Sequence, residues 1–401
     1  MSLKIAAVAV LLSAFAVGTS DAQINFFNRD TAEVECSHAS LNIPGGEAGI
    51  SFGNSENFKG LRFNLVDCGL GKISGVNVTF WLPEPSPGSV VNGISFGLSP
   101  YASELRGISI GIGGVLADKS MSGINLGGVA VVSQGSVKGI NFGGLALVGQ
   151  RDITGINFGG FAVVSQGHLT GINFSGLAVV AQKDLTGINY GGLAIVSQGA
   201  LKGINLSGLA VVSQKDLLGV NITGLAAVSQ GEMLGLNFAG LAVVAQKNLR
   251  GVNFSGLAAV TQGEMTGVNL AGLALVAADG IKGINIAGVA VVGGRGDLSG
   301  INITLGKTDS GSEIRGINFA GYKTETERFS GINMNVAWSQ TDFMKGISIA
   351  AYNQVREYQQ GISIGLFNFA KVLKGLQIGI INIAENNPEP FRILPVMNIH
   401  L

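Results

Sequence analysis

Hydrophobic and polar residues follow one pattern along most of this chain, and the pattern returns every sixteen residues. In a strict block, each copy opens with a glycine, from Gly123 to Gly283. Self-similarity at a fixed period indicates a repeat architecture, which has to be explained before any motif. Looser or fainter copies open at other glycines, namely Gly60, Gly75, Gly93, Gly107, Gly300, Gly316, Gly331, Gly346, Gly361 and Gly375.

Positions within a repeat are numbered from its opening glycine. Position 3 is Asn, position 6 Gly, position 8 Ala and position 10 Val throughout the strict block. Even positions from 2 to 10 are apolar or glycine, whereas odd positions from 3 to 11 are mixed and mostly uncharged. This alternation, together with the glycines and β-branched residues, disfavours a helix and predicts β-strands.

Charged side chains are confined to one part of the repeat. Between Gly123 and Leu298, every Asp, Glu, Lys and Arg falls at positions 13 to 16, so positions 1 to 12 carry no charge. An uncharged segment of this length with one apolar face is typical of a transmembrane β-strand. The pattern therefore predicts strands whose even positions face lipid and whose charged turns lie in water.

Two architectures fit a sixteen-residue unit. In the first, each unit is one strand and one turn, which gives an antiparallel meander of about 22 strands and an outer-membrane-type barrel. In the alternative, each unit is one coil of a β-solenoid with positions 2, 4, 7 and 9 in its core. The single strong turn signal at positions 12 to 15 favours the meander, because a coil must turn at least twice.

The turns also alternate in sequence. Gln-Gly turns such as Gln198-Gly199 alternate with Gln-Lys or Gln-Arg turns such as Gln182-Lys183, so the true period is thirty-two residues. A meander would place the two kinds of turn at opposite rims, whereas a solenoid gives no evident reason for the alternation. Duplication of a two-repeat unit would produce the same pattern.

The N-terminus has the form of a secretory signal. Lys4 precedes an apolar run, and Ser20-Asp21-Ala22 is a small-x-small cleavage site. We therefore predict an exported protein with a signal peptide at 1–22, an N-terminal segment at 23–59 and a β-repeat domain at 60–401. That domain divides into strict repeats at 123–298, looser repeats at 300–390 and a terminal strand at 391–401, which alternates like the last strand of an outer-membrane barrel.

Composition and charge exclude several functions. The formal net charge is zero and only 12% of residues are charged, so the composition does not indicate a basic surface that would bind nucleic acid. His38, His168 and His400 stand alone in the sequence, so no catalytic or metal-binding constellation can be assembled locally. We predict no enzyme activity, cofactor, metal or identifiable small-molecule ligand. Arg295-Gly296-Asp297 spells an integrin-binding tripeptide, but it also follows the general turn pattern.

Cys36 and Cys68 are the only cysteines, and both precede the strict repeats. In an exported chain they can form one disulfide. Such a bond would clamp the N-terminal segment, and two free thiols are the alternative.

One stretch of the chain resembles a known family. The phrases Gly375-Leu-Gln-Ile-Gly-Ile-Ile-Asn382 and Leu394-Pro-Val-Met-Asn398 are similar to the units of bacterial surface repeat-containing proteins built on GLQIGLIN repeats. The resemblance covers roughly residues 60–401. It implies an exported protein of the cell surface or outer membrane with no assigned activity, and it transfers no catalytic residue.

Two functions are consistent with these observations. The first is a non-enzymatic outer-membrane or cell-surface β-repeat protein with a structural or passive-pore role and the lipid bilayer as its partner. The alternative is a secreted β-solenoid that acts as an adhesin or surface spacer. The oligomeric state stays open.

Overall fold

The computed structural model describes residues 36–401, in which every regular element is a β-strand. The all-β prediction with sixteen-residue spacing is therefore confirmed for this part of the chain. The signal peptide expected at 1–22 and the beginning of the N-terminal segment lie outside the described residues.

The chain divides into two compact units, Met1–Gln214 and Lys215–Leu401. The strands of the first unit are β1 (Ser40–Gly45), β2 (Ala48–Gly53), β3 (Phe58–Asn64), β4 (Lys72–Thr79), β5 (Val90–Gly97), β6 (Tyr101–Gly111), β7 (Gly114–Gly127), β8 (Ala130–Ser133), β9 (Ser136–Gly143), β10 (Ala146–Gly149), β11 (Ile153–Gly159), β12 (Ala162–Ser165), β13 (Leu169–Ser175), β14 (Ala178–Ala181), β15 (Leu185–Gly191), β16 (Ala194–Ser197), β17 (Leu201–Ser207) and β18 (Ala210–Ser213). The strands of the second unit are β19 (Leu217–Thr223), β20 (Ala226–Ser229), β21 (Met233–Ala239), β22 (Ala242–Ala245), β23 (Leu249–Ser255), β24 (Ala258–Thr261), β25 (Met265–Ala271), β26 (Ala274–Ala277), β27 (Ile281–Ala287), β28 (Ala290–Val292), β29 (Leu298–Thr304), β30 (Lys307–Ala320), β31 (Lys323–Asn335), β32 (Trp338–Ile349), β33 (Tyr352–Ile364), β34 (Phe367–Ala384) and β35 (Ile393–His400).

Each sixteen-residue repeat forms one coil with a long and a short strand. In a representative coil, the long strand β13 covers position 15 of the preceding repeat to position 5, and the short strand β14 covers positions 8 to 11. A corner at positions 6 and 7 joins the two strands, and a polar turn at positions 12 to 14 leads into the next coil. Long strands pair with long strands and short with short, so each unit is a β-solenoid.

The prediction of an antiparallel barrel is wrong, and the β-solenoid alternative is correct. Parallel pairing joins equal positions of neighbouring coils, as in Asn157↔Asn173 and Asn173↔Asn189, whereas a meander pairs early with late positions. The second turn that a coil requires is the corner at Gly176 and Leu177. Glycine at position 6 could form such a corner, but from the sequence it could equally be a bulge or a close-packing site.

The expected solenoid core was also wrong in most positions. Position 9 does lie inside, but positions 2, 4 and 7 face outward, while positions 3, 5, 11 and 15 complete the interior. Leu169, Val179 and Asn173 are fully buried in this arrangement. Because these side chains fill the coils of the described residues, the repeats enclose no lumen for a passive pore.

Asparagine at position 3 forms a buried amide ladder. In the first unit, the Nδ2 of Asn141 donates to the Oδ1 of Asn157, and Asn157 donates in turn to Asn173, each at 2.8 Å. The ladder of the second unit includes the same contact between Asn237 and Asn253 at 2.8 Å. Stacked amides satisfy one another along these runs, whereas the Nδ2 of Asn302 and the Oδ1 of Asn318 have no hydrogen-bond partner among the described residues.

The opening glycine is required for two reasons, its positive φ and its close contact with the backbone of the preceding coil. Gly171 adopts a φ of +119°, and a Cβ there would lie 2.1 Å from the carbonyl oxygen of Gly155 in the preceding coil. Gly187 repeats the arrangement against Gly171, with a contact of 2.0 Å. Only glycine tolerates both the positive φ and the close approach of the backbone, which explains why position 1 never changes.

The looser repeats correspond to shorter polar turns. In the second unit, β30 pairs with β31 through a register shift between Ser310 and Glu313, so the strand continues through the place of the turn as a bulge. The terminal strands differ from all others in direction. β1 pairs antiparallel with β2, and β35 pairs antiparallel with β34, which covers the outermost coils.

The thirty-two-residue period has a physical cause within the solenoid. The Oδ1 of Asp184 accepts a hydrogen bond from the backbone N–H of Ala200 in the next coil at 2.9 Å. A Cβ at Gly199 would lie 2.3 Å from this Oδ1. The pattern recurs at Asp152 and Gly167, and in the strict block each coil with the short acceptor Asp or Asn at position 14 is followed by a coil with glycine at position 13. The expectation that a solenoid gives no reason for the alternation was therefore wrong.

We expect Gly199→Ala to lower the free energy of unfolding by about 1–3 kcal/mol, because its Cβ would also lie 2.6 Å from the backbone nitrogen of Asp184. Lys183→Ala changes the same repeat position in the alternate kind of turn, where the side chain is exposed. It should change stability by less than about 0.5 kcal/mol. Urea unfolding of both variants measures the difference, and equal effects would contradict the proposed cause of the period.

We expect Asn157→Asp to lower stability by about 3 kcal/mol at neutral pH, because a buried carboxylate cannot donate to the Oδ1 of Asn173. Gln150→Glu makes the same amide-to-carboxylate change at an exposed turn position and should be nearly neutral. Chemical unfolding at pH 7 compares them. A neutral Asn157→Asp variant would show that the amide ladder contributes little.

Candidate functional surface

The ionisable residues of the described coils do not converge on a catalytic or metal site. Within residues 36–401, no group of three His, Cys, Asp or Glu side chains could hold a metal ion. His168 lies in a polar turn, 3.8 Å from Asp184, and His400 contacts Asn387 near the C-terminus. The same residues contain no helix that is long and apolar enough to cross a membrane.

The Arg295-Gly296-Asp297 tripeptide is part of a turn that neighbouring coils hold. The Oγ of Ser312 donates to the Oδ1 of Asp297 at 2.7 Å, and the guanidinium of Arg315 lies 3.9 Å from its other oxygen. The carboxylate thus serves the packing of the coils, as the general turn pattern indicated.

A buried ion pair closes the position-3 row in the first unit. Arg62 occupies position 3 of its coil, is fully buried and forms an ion pair with Asp67. Its Nη1 also donates to the Oδ1 of Asn77 at 2.7 Å, and its Nη2 donates to Asn54 at 2.9 Å. The structure joins Cys36 and Cys68 nearby in a disulfide, and Asn54 contacts the carbonyl of Cys68 at 2.7 Å. These contacts form a polar cap at the start of the solenoid.

The charge of Asp67 is stabilised despite its burial. Burial alone would raise the pKa of this carboxyl, but the Arg62 guanidinium and hydrogen bonds from Thr79, Arg62 and Asn64 hold it below its ordinary value. A carboxyl with a lowered pKa stabilises the fold above its unfolded pKa, and that contribution is lost as pH falls through the folded value. The cap is therefore a structural device whose contribution disappears in acid.

The feature that covers the largest area is an apolar face on the outside of the long strands. We define the apolar face as the side chains at positions 2 and 4 of the coils. In each unit these side chains are exposed or half-buried and none is fully buried. All of them are apolar or aromatic, from Ile50 and Phe52 in the first coil to Leu376 and Ile378 in the last.

Side chains at the same repeat position stack on one another along the apolar face. In the first unit, the rings of Phe142, Phe158, Phe174 and Tyr190 stack with centroid distances of 4.7, 5.3 and 4.6 Å between successive neighbours. The adjacent isoleucine row remains open to solvent, and Ile156 is 50% exposed. The face is therefore flat and continuous within each unit, and nothing in the described residues covers it.

The two borders of the apolar face differ chemically. One border is the corner at position 7, where apolar side chains such as Leu177 and Leu193 are exposed. The other border is position 16, which we call the basic row because its charged members are all cations and never Asp or Glu. These cations are Lys59, Arg106, Lys138, Lys202, Arg250, Lys282, Arg315, Lys345 and Lys374.

Cations of the basic row never occupy adjacent coils of a unit. Ser122 and Thr154 pair on the two sides of Lys138, and Thr266 separates Arg250 from Lys282. Since neighbouring coils lie about 4.8 Å apart, an uncharged residue between two cations about doubles their separation and reduces their repulsion.

The outer face of the short strands differs from the apolar face. It carries Ala and Val at positions 8 and 10 in the strict coils, but charged residues replace them in the later coils of the second unit. There, Lys307 forms ion pairs with Asp309 at 2.8 Å and with Glu325 at 2.9 Å. The apolar character is thus uninterrupted only on the long strands.

Backbone groups at the corner are satisfied between coils. The N–H groups of Phe161 and Ala162 both donate to the carbonyl of Leu145, at 2.7 and 3.2 Å. The N–H of Gly160 donates to Gly143 at 3.1 Å. The apolar border therefore exposes side chains without exposing unpaired backbone donors.

No protein-family model, curated protein or solved structure matches this chain. The resemblance to the surface repeat-containing proteins finds no support in these comparisons and stays a prediction. The structure itself is the source of the functional argument.

Sequence analysis identified the outward apolar positions and missed their border. The even positions do face outward, as the alternation predicted, although they do so on a solenoid. The basic row could have been found by comparing position 16 across repeats, because Lys138, Lys202 and Arg250 have no acidic counterpart there. The polar cap was missed because Arg62 lies in an irregular coil.

We expect Asp67→Asn to lower stability by about 3–5 kcal/mol at pH 7, because it leaves the Arg62 charge buried without its counter-ion. Below about pH 4 the stability of the variant should also fall less steeply than that of the native chain, because the Asp67 carboxylate is no longer there to be protonated. Urea unfolding between pH 2 and 7 measures both effects. As a control, Asp152→Asn replaces a carboxylate in a polar turn and should leave the acid-dependent decrease in place.

Proposed function

We propose that this protein is a non-enzymatic β-solenoid of the bacterial cell surface, where it acts as a structural spacer or adhesin. One observation carries the proposal: the apolar face is uninterrupted along the coils of each unit. The function is therefore attachment to an extended apolar surface, with the solenoid as the rigid support.

The size of the apolar face supports attachment. Coils spaced about 4.8 Å apart give about 50 Å of length for ten coils, and two rows of side chains are about 13 Å wide. The area of about 650 Å² for ten coils is at the upper end of the patches found on soluble monomers. A surface of this kind in water has a free-energy cost that binding would remove.

One apolar groove extends the same surface and does not form an enzyme-like pocket. It measures about 620 Å³ in the second unit and is lined by apolar residues that include Val336, Ile364, Leu366 and Ile380. Catalytic pockets combine an apolar lining with convergent ionisable groups, and this lining contains none. The groove therefore supports binding of apolar groups and gives no basis for a reaction.

Export to the cell surface is supported by two features of the first unit. The signal-peptide pattern precedes the repeats in sequence, and the Cys36–Cys68 disulfide is of the kind that persists in oxidising compartments. The resemblance to bacterial surface repeat-containing proteins points to the same location.

Attachment is tested by retention of the folded chain on phenyl-agarose. A fourfold variant with Ile140→Thr, Ile156→Thr, Ile172→Thr and Ile188→Thr removes apolar side chains from the face while keeping β-branched residues in the strands. We expect it to elute at a clearly higher ammonium sulfate concentration, that is, earlier in a falling salt gradient. Circular dichroism confirms that its strands are retained.

The matched control places the same kind of change on the outside of the short strands, in three of the same coils and in the coil before them. It combines Val132→Thr, Val148→Thr, Val164→Thr and Val180→Thr, all of which are half-buried. The control should change retention much less than the isoleucine variant. Equal retention of both variants and the native chain would sink the proposal that the apolar face binds surfaces.

A further inference from the structure

We propose that the surface bound by the apolar face is a lipid bilayer with anionic headgroups. The long strands would lie flat on it, with positions 2 and 4 among the acyl chains and the basic row at the level of the phosphates. This inference rests on the proposed attachment function and specifies its partner.

The segregation of charge points to an anionic partner. The chain has equal numbers of acidic and basic residues, 25 of each, yet only cations occur on the border of the apolar face. The nearby acidic residues, such as Asp152 and Asp184, lie at position 14 in the polar turn. These acids lie two residues before the basic row on the same side of the chain, and similar acids pair with some of its cations, as Glu104 does with Arg106 and Glu264 with Lys282. The row itself carries only positive charge, and part of that charge has no acidic partner.

The arrangement of the rows fits a membrane interface. Positions 16, 2 and 4 follow one another on the same side of a strand, at steps of about 6.6 Å, and lie at about the same level when the strands lie flat. The isoleucine and aromatic side chains then point into the acyl boundary, where an interfacial segment buries its apolar side about 5–10 Å deep. The long cationic side chains at the edge reach back towards the phosphates.

Several cations of the basic row are available to a partner. Lys138, Lys202 and Arg250 have no carboxylate within ion-pair distance among the described residues. Other cations of the row are paired, as Lys282 is with Glu264. The unpaired cations therefore provide the positions at which a phosphate could bind without displacing an internal contact.

The backbone beneath the face is suited to contact with lipid. Long strands pair on both sides with neighbouring coils, as β13 does with β11 and β15. The N–H groups of the corner at Gly160 and Phe161 also donate to the preceding coil. Unpaired backbone groups are what excludes irregular structure from the apolar layer of a membrane, and these segments present none of those donors.

A second copy of the chain fits the face less well. When two copies pack face to face, the two-fold axis lies in the plane of contact. The basic row then meets either the partner's basic row or its apolar corner, according to the direction of that axis. Neither arrangement brings a carboxylate to Lys138 or Lys202, whereas anionic headgroups supply the counter-charge along the whole border.

The test is binding of the full chain to sedimentable vesicles of phosphatidylcholine, with or without about 30% phosphatidylglycerol. We expect clear binding to the anionic vesicles, weaker binding to the zwitterionic ones, and a loss of this difference at high salt. Lys138→Gln combined with Lys202→Gln should weaken binding to anionic vesicles by about fivefold per cation, or about 25-fold together. The same pair should leave binding to zwitterionic vesicles unchanged.

The control removes the same charge from the polar turn of the same unit. Arg151→Gln combined with Lys183→Gln, both at exposed position 13, should reduce anionic binding much less. The fourfold isoleucine-to-threonine variant should lose binding to both kinds of vesicle. If the double variant at Lys138 and Lys202 and the control at Arg151 and Lys183 lose equal affinity, only net charge matters. That result would overturn the role of the basic row.

The outcomes separate this inference from the proposed function. Retention on phenyl-agarose without vesicle binding would leave attachment intact and overturn the lipid assignment. Analytical ultracentrifugation could also show a dimer that the isoleucine variant abolishes. That result would identify a second copy as the occupant of the apolar face and would overturn the lipid assignment. If the native chain is neither retained on phenyl-agarose nor bound to vesicles, the proposed function itself is overturned.

Discussion

Within each unit, the regular coils place each side chain against its own counterpart in the next coil. Parallel pairing in register fixes that relation, since position n always pairs with position n at a distance of about 4.8 Å. A residue can therefore persist in the repeat only if it tolerates a neighbour of the same kind. Glycine tolerates the backbone contact at position 1, asparagine pairs its amide with the next amide, and aromatic rings stack. Like charges repel at this distance, which agrees with their absence from positions 1 to 12 of the strict repeats and with the alternation of the basic row. Where like charges do pair in register, as Lys307 does with Lys323, the carboxylates of Asp309 and Glu325 lie beside them.

The same rule explains how a polar core and an apolar exterior coexist. A buried amide needs hydrogen-bond partners, and Asn157 has one neighbour to accept from it and another to donate to it. Successive side chains of a strand point to opposite faces. Because positions 3 and 5 of the long strand face the core, the apolar residues at positions 2 and 4 face outward. The distribution is the reverse of the usual one for a soluble protein, and it leaves the isoleucine and aromatic rows available for binding.

Sequence reasoning recovered the β class, the period and the sets of positions that share a face, because alternation directly encodes which positions share a face. It failed on connectivity, because the corner at Gly176 and Leu177 has no polar turn residues, and the apolar positions were assumed to be the core of any solenoid. The alternation at Lys183 and Gly199 was visible, but its cause is a contact between successive coils. Only the placement of the Asp184 carboxylate against the next turn reveals it.

The irregular ends follow from the rule that governs the regular middle. A row of identical residues satisfies itself only while neighbours exist on both sides, so the first and last members need another solution. In the first unit, Arg62 takes the place of asparagine and directs its donors to Asn77, Asn54 and Asp67, while β1 covers the edge in the opposite direction. In the second unit, serines replace asparagine at position 3 before β35 turns back. The sequence departs from its repeat where the repeat can no longer satisfy its own polar groups.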